Sequence, residues 1–370
     1  MKIAVIGPTF PYKGGISHFT TILVQTLRKE HKVDFLSWKR QYPSFLYPVE
    51  LKDTQSKHPI KTEAKFILDF FNPISWITAF LQIRKIKAEL LILTWVSPIQ
   101  APIYFIIAFL TRKFTATKIL YICHNVLPHE KSFYDIALVK LALNQGNSYI
   151  VHAKEDKKVL EKIVKNKKII LGFHPIYDIF NTGKKYNILQ LKKELGLRKK
   201  VLLFFGYIRP YKGLRYLIEA MPEILKAHFD TSLLVVGDFW SKDKQSYFDL
   251  IKKLNLEKDL IMINRYIPNE EVEKYFYVAD IVVLPYITAT QSGITQIARA
   301  FNKPVITTSV GGLGDNTESK NIDLIIKPKD NSDIAEKVKL FFKKPVSPEN
   351  IMKYKEKRSW KKYVNLLYSI

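Results

Sequence analysis

The stretch VLLFFGYIRPYKGLRYLIEA, residues 201–220, reads as three consecutive pieces of backbone. Residues 201–208 are an almost unbroken apolar run, which marks a strand buried on both faces rather than one. A loop with Pro210 and Gly213 follows, carrying Arg209 and Lys212. Apolar residues then recur at helical spacing over 213–228. Strand, glycine-bearing loop and helix in that order form the repeating unit of a parallel α/β sheet.

The same alternation runs outward in both directions. Strand candidates precede it at 2–7, 32–38, 89–95, 118–125, 148–153 and 168–173, and follow at 231–238, 260–266, 280–286, 303–309 and 322–328. Helical periodicity lies between them, for example over 18–30 and 269–279. Each half opens with a strand and a glycine loop, at 7–15 and 206–213, and HPIYDIFNTGKK at 174–185 has linker composition. The fold class is therefore α/β: two Rossmann-like domains facing each other across a cleft, over 1–175 and 176–346. Residues 347–370 are expected to form a helix after Ser347 and Pro348.

The 370 residues include 59 Lys and Arg against 34 Asp and Glu, a net charge of +25 that favours anionic partners. The single cysteine, Cys123, excludes an internal disulfide framework and fits a reducing, cytoplasmic setting. No signal peptide is read at the N-terminus. Leu90–Thr111 is uncharged and long enough to span a bilayer, but Pro98 and Pro102 divide it into a buried strand and a buried helix.

Four segments could carry chemistry. Arg209 and Lys212, between a strand end and a helix start, suit a diphosphate; a plain basic loop is the alternative. Both side chains are expected to be solvent-exposed. Gly14 and Gly15 precede the first helix, where backbone amides can approach an anion or simply form a tight turn. CHNVLPHE places His124, Asn125, His129 and Glu130 at a strand's carboxyl end, with His124 favoured and His129 second. His18 and His174 are read as structural. In LPYITATQSGITQIARAFNKPVITTSVGG, 284–312, the amides from Gln291 through Ser292 and Gly293 to Ile294 open a helix carrying Gln296. HExxH, CxxC and DxD patterns do not occur, which argues against a dedicated metal site, and there is no GxSxG elbow.

Together these segments resemble the retaining, nucleotide-sugar-dependent glycosyltransferases of family four, which have the GT-B fold. The resemblance also takes in VHAKEDKKVL at 151–160, VVGD at 235–238, the IPNEEVEKYFYVADIVVLPY stretch and a late Ser359-Trp360. It implies an acceptor-side first domain, a donor-side second domain, and a C-terminal helix crossing back to the first. It further implies that Gly15 meets the donor diphosphate, that His124 lies near the transferred sugar, and that Arg209 and Lys212 clamp the diphosphate. Tyr266 and Ile267 fall where family members contact the nucleotide base, and Gln291 and Gln296 are the nearby polar candidates for sugar or ribose.

One departure stands out. The family pattern has two glutamates with seven residues between them; here those positions hold Ala289 and Ile297, giving a Gln-Ser-Gly variant. The expected function is metal-independent, cofactor-free transfer from a nucleotide-diphosphate sugar to a glycan or lipid-linked acceptor in surface polysaccharide or glycolipid assembly. Such a protein is expected in the cytoplasm, peripheral on the inner face of the membrane. A non-catalytic GT-B protein that binds nucleotide sugar, or serves as a partner subunit, is the alternative. Nucleic-acid binding is disfavoured, because the lysines are dispersed rather than interleaved with aromatics.

Overall fold

The computed structural model describes residues 1–43, 52–127, 134–240, 243–289, 291–313 and 322–369. They divide into two compact units. The first comprises Met1–Thr54, Ile60–His174 and Trp360–Ile370; the second comprises Gln55–Pro59 and Pro175–Ser359.

The first unit is built on β1 (Lys2–Ile6), β2 (Lys32–Arg40), β3 (Lys65–Asp69), β4 (Leu90–Trp95), β5 (Lys118–Cys123), β6 (Ser148–Val151) and β7 (Lys168–Leu171). All pairings are parallel, in the order β3-β2-β1-β4-β5-β6-β7. Every residue of β4 is buried, as its unbroken apolar run requires. The uncharged stretch from Leu90 resolves into β4 and helix Ala101–Phe114. Among the described residues no helix is long and apolar enough to cross a membrane.

β3 has no counterpart among the strands read from the sequence. It is an edge strand with only Leu68 buried, and its pairing with β2 shifts register near Trp38. An edge strand half open to water lacks the continuous apolar signature that marks the central ones.

The second unit carries β8 (Lys200–Phe205), β9 (Thr231–Val236), β10 (Leu260–Ile263), β11 (Ile281–Leu284), β12 (Val305–Thr308) and β13 (Asp323–Ile326). These are also parallel, in the order β10-β9-β8-β11-β12-β13. Strand order reverses between β8 and β11, so the loops leaving them diverge and open a crevice at the carboxyl edge.

Two segments depart from a simple division at 175. Gln55–Pro59 group with the second unit, where Ser56 Oγ accepts from Asn269 N at 3.0 Å and Glu270 Oε1 from Lys57 N at 2.8 Å. Helix Pro348–Lys357 also belongs there, and the chain rejoins the first unit only at Trp360. The returning segment buries Trp360, Tyr363, Val364 and Leu367.

Phe19, on helix Gly15–Leu27, is the hub of that return. Its ring lies 5.1 Å from Trp360, 5.4 Å from Tyr363 and 4.6 Å from His124, edge-on to the last two. His152 and His174 complete the cluster at 5.7 and 5.6 Å, and the His152 Nε2 and Tyr363 hydroxyl are hydrogen-bonded at 2.9 Å. Burial, followed by the neighbouring imidazoles, pulls His124 down to about 3 and His152 well below its ordinary value.

Both rings are neutral in the folded chain and take up protons on unfolding below pH 6.5, so their contribution is complete above that value and falls away in acid. Urea unfolding at about pH 7.5 and about pH 5 is expected to show a loss on the order of 2–4 kcal/mol from these two groups. His124→Gln should remove about half of that acid sensitivity.

Candidate functional site

The loop after β8 is fastened on both sides. Toward β9, Ile208 N donates to Asp238 O at 2.8 Å and Trp240 N to Ile208 O at 3.1 Å. Toward β11, Ile287 N donates to Tyr211 O at 2.7 Å. Residues Pro210–Lys212 form a single 3₁₀ turn, closed by Lys212 N to Arg209 O at 2.9 Å. Gly213 has φ +70°, and a Cβ there would stand 2.0 Å from Pro285 O. Only glycine lets the two loops approach so closely.

This backbone sets two cations side by side. The Arg209 guanidinium lies 3.7 Å from the centre of the Trp240 ring, a close stacking contact that holds the fork in one plane. Lys212 folds beneath Gly206, where a Cβ would meet its Nζ at 3.3 Å and Ile294 Cδ1 at 3.5 Å. The Tyr286 ring centre is 5.7 Å from the same Nζ, and Tyr286 shares a side-chain hydrogen bond with Ser292. Helix Gly293–Ala300 starts directly after Ser292 with no side-chain cap, leaving its first amides open to an anion.

Lys212 corrects the expectation of an exposed clamp. The residue keeps part of its surface in solvent, but its ammonium is deep. Burial, and after it the Arg209 charge, pull its pKa from 10.5 to about 7. Among the described residues no carboxylate pairs with Arg209 or Lys212. Two adjacent cations without an acid, at a helix start and a strand-order reversal, make a site for an anion with several oxygens.

The other second-unit candidates are placed around this core in different ways. Gln291 and Gly293 are half-buried beside the buried Ser292. Gln296 is buried, and its Oε1 has no hydrogen-bond partner among the described residues. Ala289 and Ile297, at the family's glutamate positions, are each 8% exposed. Tyr266 and Ile267 follow β10 at the carboxyl edge; Ile267 is buried, and Tyr266 O accepts from Arg265 Nη1 at 3.2 Å.

In the first unit, Gly14 has φ +102° and caps helix Gly15–Leu27 through its backbone alone. A Cβ on either Gly14 or Gly15 would meet no atom within 4 Å. His124 follows β5, is 7% exposed, and its Nε2 has no hydrogen-bond partner among the described residues. His129 and Glu130 lie outside the described residues. His174, read from sequence as structural, packs in the aromatic cluster with His124.

Sequence reasoning missed Trp240 and Tyr286 as partners of the two cations. Trp240 is the second residue after VVGD, in the loop leaving the strand adjacent to β8, so strand order would have pointed to it. It also missed the buried pair of Arg299 and Asp323, which braces helix Gly293–Ala300 against the segment opening β13. No group of three or more His, Cys, Asp or Glu among the described residues is placed to hold a metal ion.

Comparison with known proteins fits this geometry. Residues 188–358 match the family "Glycosyl transferases group 1". The putative glycosyltransferase YtcC of Bacillus subtilis is 31% identical over 144 residues, 36% of this chain and 34% of that protein. The chain spans from about a third to about half of the length of the curated relatives it matches. Among solved structures, a glycosyltransferase from Rickettsia africae superposes with TM-score 0.74 at 17% identity, covering 100% of this chain and 97% of that one. HepE of Anabaena, in complex with UDP and glucose, superposes with TM-score 0.72 at 16% identity, covering 100% of both. The chain has the two-domain, Rossmann-like GT-B fold.

An ammonium with a pKa near 7 has a direct signature. In the chain carrying ¹³C-methylated lysines, one NMR resonance is expected to titrate near pH 7 and to be missing in Lys212→Met. A bound diphosphate favours the charged form, so UDP should move that midpoint upward.

Proposed function

We propose that the protein transfers a sugar from a nucleotide-diphosphate donor to a glycan or lipid-linked acceptor, with retention of anomeric configuration and without a metal. The observation that carries this reading is the pair Arg209 and Lys212, the ammonium of Lys212 desolvated and neither cation with a carboxylate partner among the described residues. Breakage of the anomeric bond puts negative charge on the leaving diphosphate. Fixed cations and free helix amides stabilise that charge more than they stabilise the ground state. HepE was solved with UDP and with UDP-glucose, which supports a nucleotide sugar as the donor class.

In this reading Arg209 forks onto two phosphate oxygens and Lys212 supplies a point charge, while the amides of Ser292, Gly293 and Ile294 take the remaining oxygens. Resemblance adds Gly14 and Gly15 toward the diphosphate, and His124 as a neutral imidazole toward the sugar. It assigns Tyr266, Ile267, Gln291 and Gln296 to the nucleotide and sugar. Retention on the front face, with the leaving phosphate helping to deprotonate the acceptor, needs no carboxylate pair of the glycosidase kind. Surface polysaccharide or glycolipid assembly is the setting that suits such an acceptor.

One observation favours a second reading, a non-catalytic sugar-nucleotide binder. Ala289 and Ile297 are packed away and supply no carboxylate to sugar or ribose. Turnover separates the two. A panel of nucleotide sugars, scored by release of nucleoside diphosphate, is expected to yield at least one substrate; binding without release across the panel would favour the second reading.

With that substrate, Arg209→Ala and Lys212→Ala should each lower kcat by about a hundredfold or more. Arg215→Ala is the control: its side chain is 62% exposed and paired with Glu219 at 2.9 Å, so activity should hardly change. Equal damage from all three would mean that the assigned phosphate site is wrong.

Metal dependence is checked separately. Turnover is expected to survive an excess of chelator, whereas complete loss that added metal restores would mean the diphosphate is held through a cation.

A further inference from the structure

The exit of β5 is pinned from two sides, as the loop after β8 is. His124 N donates to Trp95 O at 3.0 Å, at the end of the neighbouring strand β4. Two residues further on, side chains take both backbone groups of Val126. Trp95 Nε1 donates to Val126 O at 3.4 Å, and Val126 N donates to Asp156 Oδ1 at 3.2 Å. Trp95 and Val126 are wholly buried. His124 and Asn125 are thus carried between fixed attachments.

Asp156 is an unexpected group for this duty. It lies in the first turn of helix Lys154–Ile163, where an acidic side chain ordinarily faces water and answers the helix dipole. Glu155 beside it is exposed in that ordinary way. Asp156 turns inward instead and is 6% exposed. Among the described residues it forms no ion pair, and its Oδ2 has no hydrogen-bond partner. Its Oδ1 reaches a backbone amide 30 residues away in the chain.

Docking of the helix does not require this. Leu160 is fully buried, and Val159 and Ile163 pack against the same core, so the helix is seated by its apolar face. Burial lifts the Asp156 carboxyl to about 6, the sign of an acid held away from water without a cation to compensate it. A desolvated carboxyl at the carboxyl edge of a sheet, spent on one loop amide, singles out the course of that loop as the thing being held.

We propose that Asp156 is a positioning residue: through Val126 N it sets the path of the chain leaving β5, and with it the place of His124. This rests on the reading in which His124 faces the transferred sugar. Asp156 itself touches no substrate. What the role needs is a hydrogen-bond acceptor at Oδ1, not a charge, and misplacement of a reacting group by about 1 Å is enough to lower a rate about a hundredfold.

Three variants of the full chain test it. Asp156→Leu removes the acceptor, Asp156→Asn keeps a carbonyl oxygen for Val126 N, and Glu155→Ala removes the neighbouring charge. With the substrate found in the nucleotide-sugar panel, Asp156→Leu should lower kcat about tenfold to a hundredfold while UDP binds as before. Asp156→Asn should recover most of that loss, and Glu155→Ala should change nothing. Asp156→Ala replaces the leucine variant if that chain melts early. Native-state amide exchange reads the bond without turnover: Val126 N–H should stay protected in Asp156→Asn and exchange at least about tenfold faster in Asp156→Leu. Unchanged kcat in the leucine variant, no recovery with asparagine, an equal loss of UDP affinity, or unchanged exchange at Val126 would each overturn the proposal. Absence of turnover in every chain would count against the transferase reading, and the exchange rates would then decide this one.

Discussion

Two cations stand side by side in the second unit, and among the described residues no carboxylate pairs with either. Arg209 is fixed over Trp240, and Lys212 is drawn under Gly206, where burial and its neighbour's charge make its proton easy to lose. Folding gains nothing from such a pair; a buried ammonium beside another cation costs stability relative to the unfolded chain. Because Lys212 binds its proton less tightly when folded, this cost is largest below pH 7 and disappears as pH rises toward 10.5. An arrangement that the folded state pays to keep points to a ligand that relieves it.

The surrounding backbone exists to hold that geometry. β8 lies where strand order reverses, so its loop is free to rise between the loops after β9 and β11 and to hydrogen-bond to both. Gly213 permits the contact with Pro285, and Ser292 ties the start of the last helix of the site to Tyr286. Arg299, only 1% exposed, anchors the far end of that helix through Asp323 and the carbonyl of Lys303. The helix N-terminus is therefore held in place before any ligand arrives, the condition under which fixed dipoles are most effective.

What the sequence reveals depends on how local the physical signal is. Strands buried on both faces show themselves as apolar runs, and prolines at 98 and 102 separate a strand from a helix that hydropathy alone would merge. β3 escapes because one half-exposed edge strand has neither continuity nor clean alternation. Arg209 and Lys212 are legible because strand, loop and helix occur consecutively. The stacking of Trp240 and the Arg299–Asp323 pair are set by neighbours 24 or more residues away, and Tyr286 and Ile294 close over Lys212 from still further along the chain. The grouping of Gln55–Pro59 with the second unit has no local signature at all.

Ala289 and Ile297 mark where this chain departs from the glutamates of the family it resembles. Both are buried apolar residues, so the polar groups left nearby are Gln291, Ser292 and Gln296, the last with an unpartnered buried Oε1. A crystal structure of the full chain with UDP bound tests the central claim most directly. It should place diphosphate oxygens within hydrogen-bond reach of Arg209, of Lys212 and of the amides at Ser292 to Ile294. A diphosphate seated elsewhere, with Lys212 still unaccompanied beneath Gly206, would contradict it.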